Sequence, residues 1–192
     1  MAHFDGYAPL ERTLVILKPD AVERKHVDAI LARLNRAGLK ILTIKQIRAS
    51  EAELDNHFPS SYEDVRAMGV RAEERCWKEM KLDPLKAWGT ADPFKIGEKV
   101  IQGCREYYLS GPLVVLIAEG HGAVAVVRKL IGNTLPSQAA PGTIRGDFGI
   151  HEDTNKFPNG AARNLIHASD SVSEAEREIQ AWFSRDEILS IK

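Results

Sequence analysis

His167 lies in RNLIHASDS (163–171), after an apolar pair and before a run of small and polar residues, and Glu178 follows eleven residues later. Glu178 falls on or beside the apolar stripe of the helix expected to begin at Ser173, between Ala175 and Trp182 at helical spacing. Burying a carboxylate without a partner costs several kcal/mol, of order 5, and an imidazole N–H is a suitable donor. That partnership holds one ring nitrogen as N–H and leaves the other as a lone pair, which is what attack on phosphorus needs. Four further groups sit at the ends of expected elements: Lys18 before a helix start, Arg128 near a helix end, Thr134 just past it, and Arg145 in PGTIRGDF (141–148). Phosphate is the natural ligand for such a set, because guanidinium forks and helix termini both favour anions.

The elements that must carry these groups can be read from periodicity. Leu14 to Leu17 is a short apolar run behind Thr13 and before Pro19, a buried strand. Asp20 and Glu23 form a D-x-x-E start for one helix running to Gly38, with Val27, Ile30, Leu31 and Leu34 on its inner face. Residues 39–48 read as a strand with one covered face, 112–120 as a central strand, and 123–132 as a helix ended by Gly132. Ile144 to Phe148 is a possible fourth strand, and the last helix starts at Ser173 with Glu176 in the capping-box position. The order is β-α-β, an irregular insert, then β-α-β-α, which suits a split βαβ sandwich within a single domain spanning 1–192.

Composition excludes several classes. The chain of 192 residues carries 26 Lys and Arg against 27 Asp and Glu, so it lacks the broad positive field of a dedicated nucleic-acid binder and any anion site is local. Its two cysteines, Cys76 and Cys104, have no zinc or disulfide spacing. No run is long enough to span a bilayer and no leader is visible, so a cytoplasmic protein is expected. A P-loop is absent and GHG (120–122) is too short for a dinucleotide fingerprint.

In this order, TLVILKPDAV (13–22), SGPLVVLIAEG (110–120), VVRKLIGNT (126–134), PGTIRGDF (141–148) and NLIHASDS (164–171) resemble the nucleoside diphosphate kinase family. The resemblance implies an α+β sandwich with a ferredoxin-like core, a four-stranded antiparallel sheet covered by helices. It implies a ping-pong kinase in which His167 is the phosphorylated nucleophile, with Glu178 and Ser169 hydrogen-bonded around its imidazole. Lys18 and Asn164 would meet phosphate and ribose, Arg128, Thr134 and Arg145 would hold phosphates, and Asp170 would approach Mg²⁺ through water. Substrates would be nucleoside tri- and diphosphates, and the assembly a homo-oligomer, a hexamer or tetramer built from dimers. A nucleotide-binding module without turnover and a protein-to-protein phosphocarrier are the other classes that could use a histidine here.

Three features depart from the family pattern. Phe58 stands where a tyrosine usually borders the nucleotide site, and Phe94 is a weak choice for the residue that stacks on the base. Residues 59–109 are longer than the corresponding family segment; RAEERCWKEM (71–80) and FKIGEKVIQGCREYYL (94–109) predict helices packed beside the cleft. An extra loop is expected at about 150–160, between Arg145 and Asn164.

Overall fold

The computed structural model describes residues 8–150 and 162–191. Alternation of side chains sets the architecture: in β1 (Leu10–Leu17), Val15 and Leu17 face one layer while Leu14 and Ile16 face the other, all fully buried. With β2 (Lys40–Ile47), β3 (Leu113–His121) and β4 (Ile166–Ala168) it forms an antiparallel sheet in the order β2-β3-β1-β4. The first face packs against Ile30, Leu34, Ala123, Val127, Ile131 and Ile144, and the second against Leu54, Tyr108, Ile179, Trp182 and Phe183. The result is the α+β sandwich expected from the sequence, with helices on both faces.

The first expected helix is two, α1 (Pro19–Glu23) and α2 (Val27–Arg36), separated at Lys25, whose φ of 58° cannot continue an α-helix. Asp20 does not cap either one; its Oδ2 accepts from the backbone N–H of Leu165, 3.2 Å away. After β2 come α3 (Glu51–His57), α4 (Tyr62–Arg75), a π turn at Cys76–Met80, α5 (Pro84–Trp88) and α6 (Pro93–Leu109). The expected helices between 59 and 109 are therefore present, and Ala72, Ile96 and Val100 give them a small core of their own. Gly69 and Gly97 let α4 and α6 cross closely: a Cβ at Gly69 would fall 1.7 Å from the Pro93 carbonyl oxygen, and one at Gly97 would fall 2.0 Å from that of Val65.

α7 (Ala123–Ile131) follows β3 and ends at Gly132 as read. Ile144–Phe148 is not a strand. It is a short helix, α8, whose Thr143 hydroxyl accepts from the Gly146 N–H, a cap that outweighs the apolar ends of the segment. The fourth strand is β4, where His167 itself pairs across to Ile16; with partners on β1 alone and three residues in length, it gives almost no periodic signal. α9 (Val172–Trp182) is capped two residues earlier than expected, by Ser171 rather than Ser173, whose hydroxyl accepts from Glu174 N–H; α10 (Arg185–Leu189) closes the described chain. Residues 151–160 of the expected extra loop lie outside the described residues.

Candidate active site

β4 places His167 and the middle of α9 places Glu178. His167 Nε2 lies 2.9 Å from Glu178 Oε1 and 3.0 Å from Oε2, and the Ser169 hydroxyl donates to Oε2 at 2.6 Å. Glu178 is 2% exposed, and burial alone would raise its pKa. The neighbouring His167, its hydrogen bond, His57 and the Ser169 hydroxyl overcome that and hold the carboxyl at about 2. An ionised carboxylate can only accept, so Nε2 carries the proton and Nδ1 keeps its lone pair. The sequence placed Glu178 correctly on an inward face, and its partner is the histidine expected.

His57, at the end of α3 and next to Phe58, was given no role in the site by the sequence reading. Its ring meets that of His167 edge-on at 4.8 Å, and its buried Nδ1 lies 3.4 Å from Glu178 Oε1, without a hydrogen-bond partner among the described residues. Burial first, then His167, push its imidazole from 6.5 down to about 3, against the pull of Glu178. An unfolded chain takes up that proton below about pH 6.5 while the folded chain refuses it, so stability falls as pH drops from 6.5 towards 3. Glu178, at about 2 rather than 4.5, adds a loss of the same sign below pH 4.5. Urea midpoints measured between pH 7 and 4 should decline, and His57→Gln should flatten the decline; equal slopes would remove His57 as its source. No local pattern marks His57, since its partners come from β4 and α9.

Lys18 ends β1 and is 8% exposed, with Nζ donating to Asn164 Oδ1 at 2.7 Å and lying 5.5 Å from the centres of the Tyr107 and Tyr108 rings. Burial, aided by Arg145, lowers it to about 8 against the opposing Cys104 and Asp20. Asn164 in turn donates through Nδ2 to the Thr134 carbonyl at 2.9 Å. Leu165 next to it has φ of 68°, a left-handed turn held by Asp20 and by the Lys18 N–H, which donates to the Leu165 carbonyl at 2.8 Å. This turn joins the strand end of Lys18 to the start of β4.

The two arginines differ. Arg145 is 5% exposed and donates to the carbonyls of Asn164, Gly132 and Ile166 at 3.1, 3.1 and 2.6 Å; burial and then Arg128 lower it to about 10. Arg128 keeps a half-exposed side chain, with Nη1 2.7 Å from the largely exposed Asp170. His57, His167, Glu178, Lys18, Asn164, Thr134, Arg128, Arg145 and Asp170 line one cavity of about 630 Å³, together with Phe58, Tyr108 and Trp88. Tyr108 brings a phenol ring to the wall where Phe58 has none, packing edge-on against Phe58 at 5.6 Å. Phe94 does not line the cavity; it stacks on Tyr62 with ring centres 4.7 Å apart.

A half-buried histidine held as an N–H donor, in a cavity rich in cations, is arranged for attack on a phosphoryl group. Comparison with known proteins agrees. The family model for nucleoside diphosphate kinase matches residues 11–66 and 95–188. The chain belongs to the nucleoside diphosphate kinase family. A nucleoside diphosphate kinase from Pyrobaculum aerophilum is 45% identical over 94% of this chain and 99% of that protein, and one from Archaeoglobus fulgidus is 38% identical over 94% and 91%. The crystal structure of a Pyrobaculum aerophilum NDP kinase superposes with a TM-score of 0.84 at 43% identity, covering 94% of this chain and 99% of that one. A Borrelia burgdorferi nucleoside diphosphate kinase, solved as a transition-state mimic with vanadate and ADP, gives 0.70 at 30% identity over 95% and 92%. Kinases of this family are phosphotransferases acting on nucleotides.

Proposed function

We propose that this chain transfers the γ-phosphoryl group of a nucleoside triphosphate to a nucleoside diphosphate through a phosphohistidine formed at His167 Nδ1. The observation that carries the reading is the Nε2–H held by both oxygens of a buried, ionised Glu178, which leaves Nδ1 as the free lone pair of the ring. In the first step the Nδ1 lone pair forms a bond to the γ-phosphorus while the P–O bond to the leaving diphosphate breaks and its electron pair departs with that oxygen. In the second, a terminal oxygen of the acceptor diphosphate attacks the phosphorus and the P–N bond returns its pair to Nδ1. Charge spreads over the phosphoryl oxygens in each transition state, and Lys18, Arg128 and Arg145 supply compensating charge around the same cavity. Asn164 and Thr134, linked to Lys18 by hydrogen bonds, position the sugar and phosphate chain, with Phe58 on the facing wall.

Mg²⁺ fits the donor set as a substrate-borne ion. The exposed carboxylate of Asp170 offers hard oxygen to one side of the cavity, whereas Glu178 is committed to His167 and Ser169. Bound with phosphate oxygens and reached by Asp170 through water, the ion would neutralise charge on the transferred group. The same reading makes the protein a cytoplasmic homo-oligomer, a hexamer or tetramer of dimers. Ile44, 45% exposed on the outer strand β2, supports a covered edge, and no helix among the described residues is long and apolar enough to cross a membrane.

Incubation with γ-labelled ATP and then GDP tests the activity. Label passing to GTP supports the kinase, label retained on the protein would make it a phosphocarrier, and no label would make it a nucleotide-binding module. Glu178→Gln should keep the fold and slow phosphoenzyme formation by roughly 10–100-fold, because the amide keeps the size but not the charge that stabilises the imidazole as phosphorus bonds to it. An unfolded variant whose folded fraction reacts at the normal rate would make Glu178 a purely structural partner.

A further inference from the structure

The family model passes over residues 67–94, yet this segment lines the cavity. Across the whole cavity wall, seven lysines and arginines face three carboxylates. Those carboxylates are already engaged: Asp170 with Arg128, Glu174 with Arg177, and Glu178 with His167. Three of the cations, Arg71, Arg75 and Lys86, come from the passed-over segment.

Arg75 is placed by rigid packing. The Gly69–Gly97 crossing fixes α4 against α6, and Ala72 seals the contact one turn before Arg75. Arg71 and Arg75 are four residues apart on the cavity-facing side of α4, an arrangement that repels unless an anion lies between or before them. The neighbouring acid Glu74 pairs with Lys78, and among the described residues Arg75 has no ion pair. The field of Arg75 reaches Arg145 across the cavity, where it adds to burial and Arg128 in disfavouring the charged guanidinium. A half-buried Arg75 and a buried Arg145 lining one cavity, with the carboxylates of that cavity engaged elsewhere, favour one kind of occupant, a multiply charged anion.

We propose that Arg75 contacts the phosphate chain of the nucleotide in the His167 cavity, so that the helical segment beyond the family's shared core forms an added wall of the phosphate site, with Arg71 and Lys86 as weaker outer charges. This rests on the kinase reading above and extends it to a residue outside the shared pattern. The bland role for Arg75 is to complement the carbonyls at the C-terminal end of α4.

Calorimetric titration of the full chain with ADP, and with adenosine as the uncharged control, separates these roles. Arg75→Gln should weaken ADP binding roughly tenfold, leave adenosine unchanged and flatten the salt dependence of ADP binding. Arg75→Lys, which keeps the charge but loses the fork, should recover part of the affinity. The ligand-free Arg75→Gln protein should melt no lower than wild type, because a like-charge contact has been removed. ADP affinity within about twofold of wild type would overturn the proposal; so would a lowered melting point in Arg75→Gln with ADP and adenosine weakened equally, the signature of a helix-end role. Failure of the wild-type chain to bind ADP would instead overturn the kinase reading on which the proposal rests.

Discussion

His167→Ala should abolish phosphoryl transfer and leave ADP binding intact. The imidazole bonds to phosphorus only during chemistry, whereas Lys18, Asn164 and Arg128 line the cavity independently of it. Removing a covalent nucleophile costs about 10⁴-fold or more in turnover, because the lone pair that Glu178 orients for attack is lost. The same substitution frees Glu178 from one partner but keeps Ser169 and the His57 contact, so the fold should survive. Steady-state GTP formation, acid-stable and acid-labile labelling, and ADP titration together check the result. Turnover within tenfold of wild type would place the covalent step elsewhere.

Arg145→Ala and Arg128→Ala should part company, although both arginines line the cavity. Arg145 is buried and its guanidinium satisfies three backbone carbonyls, those of Gly132 after α7 and of Asn164 and Ile166 around β4. Truncation removes the guanidinium donor from all three, leaving the Asn164 carbonyl only the Ile166 N–H, and opens a void beside β4, a loss of about 3 kcal/mol or more. Arg128 has one exposed ion pair, so Arg128→Ala should change stability by no more than about 0.5 kcal/mol while weakening ADP by a charged hydrogen bond, about 1.5–3 kcal/mol. Urea unfolding with ADP titration of both variants decides the matter. If Arg145→Ala unfolds like wild type and loses only ADP affinity, its carbonyl contacts carry no structural load.

The parts of the fold that repeat were legible in the sequence. Leu14 to Leu17, the 112–120 run and the helix ended by Gly132 announce themselves through apolar runs and a glycine stop, and they form the centre of the sheet. What escaped were elements governed by contacts distant in sequence. β4 is too short to show a period, α8 owes its helix to a threonine cap, and Asp20 looked like a cap while its carboxylate serves Leu165. The site behaves the same way. Element ends and local patterns pointed to Lys18, Arg128, Thr134, Arg145, His167 and Glu178, the family resemblance added Asn164, and one cavity gathers them. His57 and Tyr108 were invisible as site residues because only folding brings α3 and α6 to the nucleophile, and Arg75 because its segment follows no shared pattern.

Nucleophile and orienting carboxylate sit eleven residues apart, on β4 and on α9 immediately after it, with the Ser169 hydroxyl between them. The groups proposed to hold the nucleotide come instead from Lys18 near one end of the chain to Asn164 near the other, 146 residues away. On the proposed roles, covalent chemistry is written in one contiguous strand-turn-helix passage, and substrate recognition is distributed over sequence-distant elements. Such a division gives the scaffold unequal freedom to change. A long stretch of new helix can be spliced into the cavity wall, enlarging or re-charging it, without moving His167 or the carboxylate that orients it.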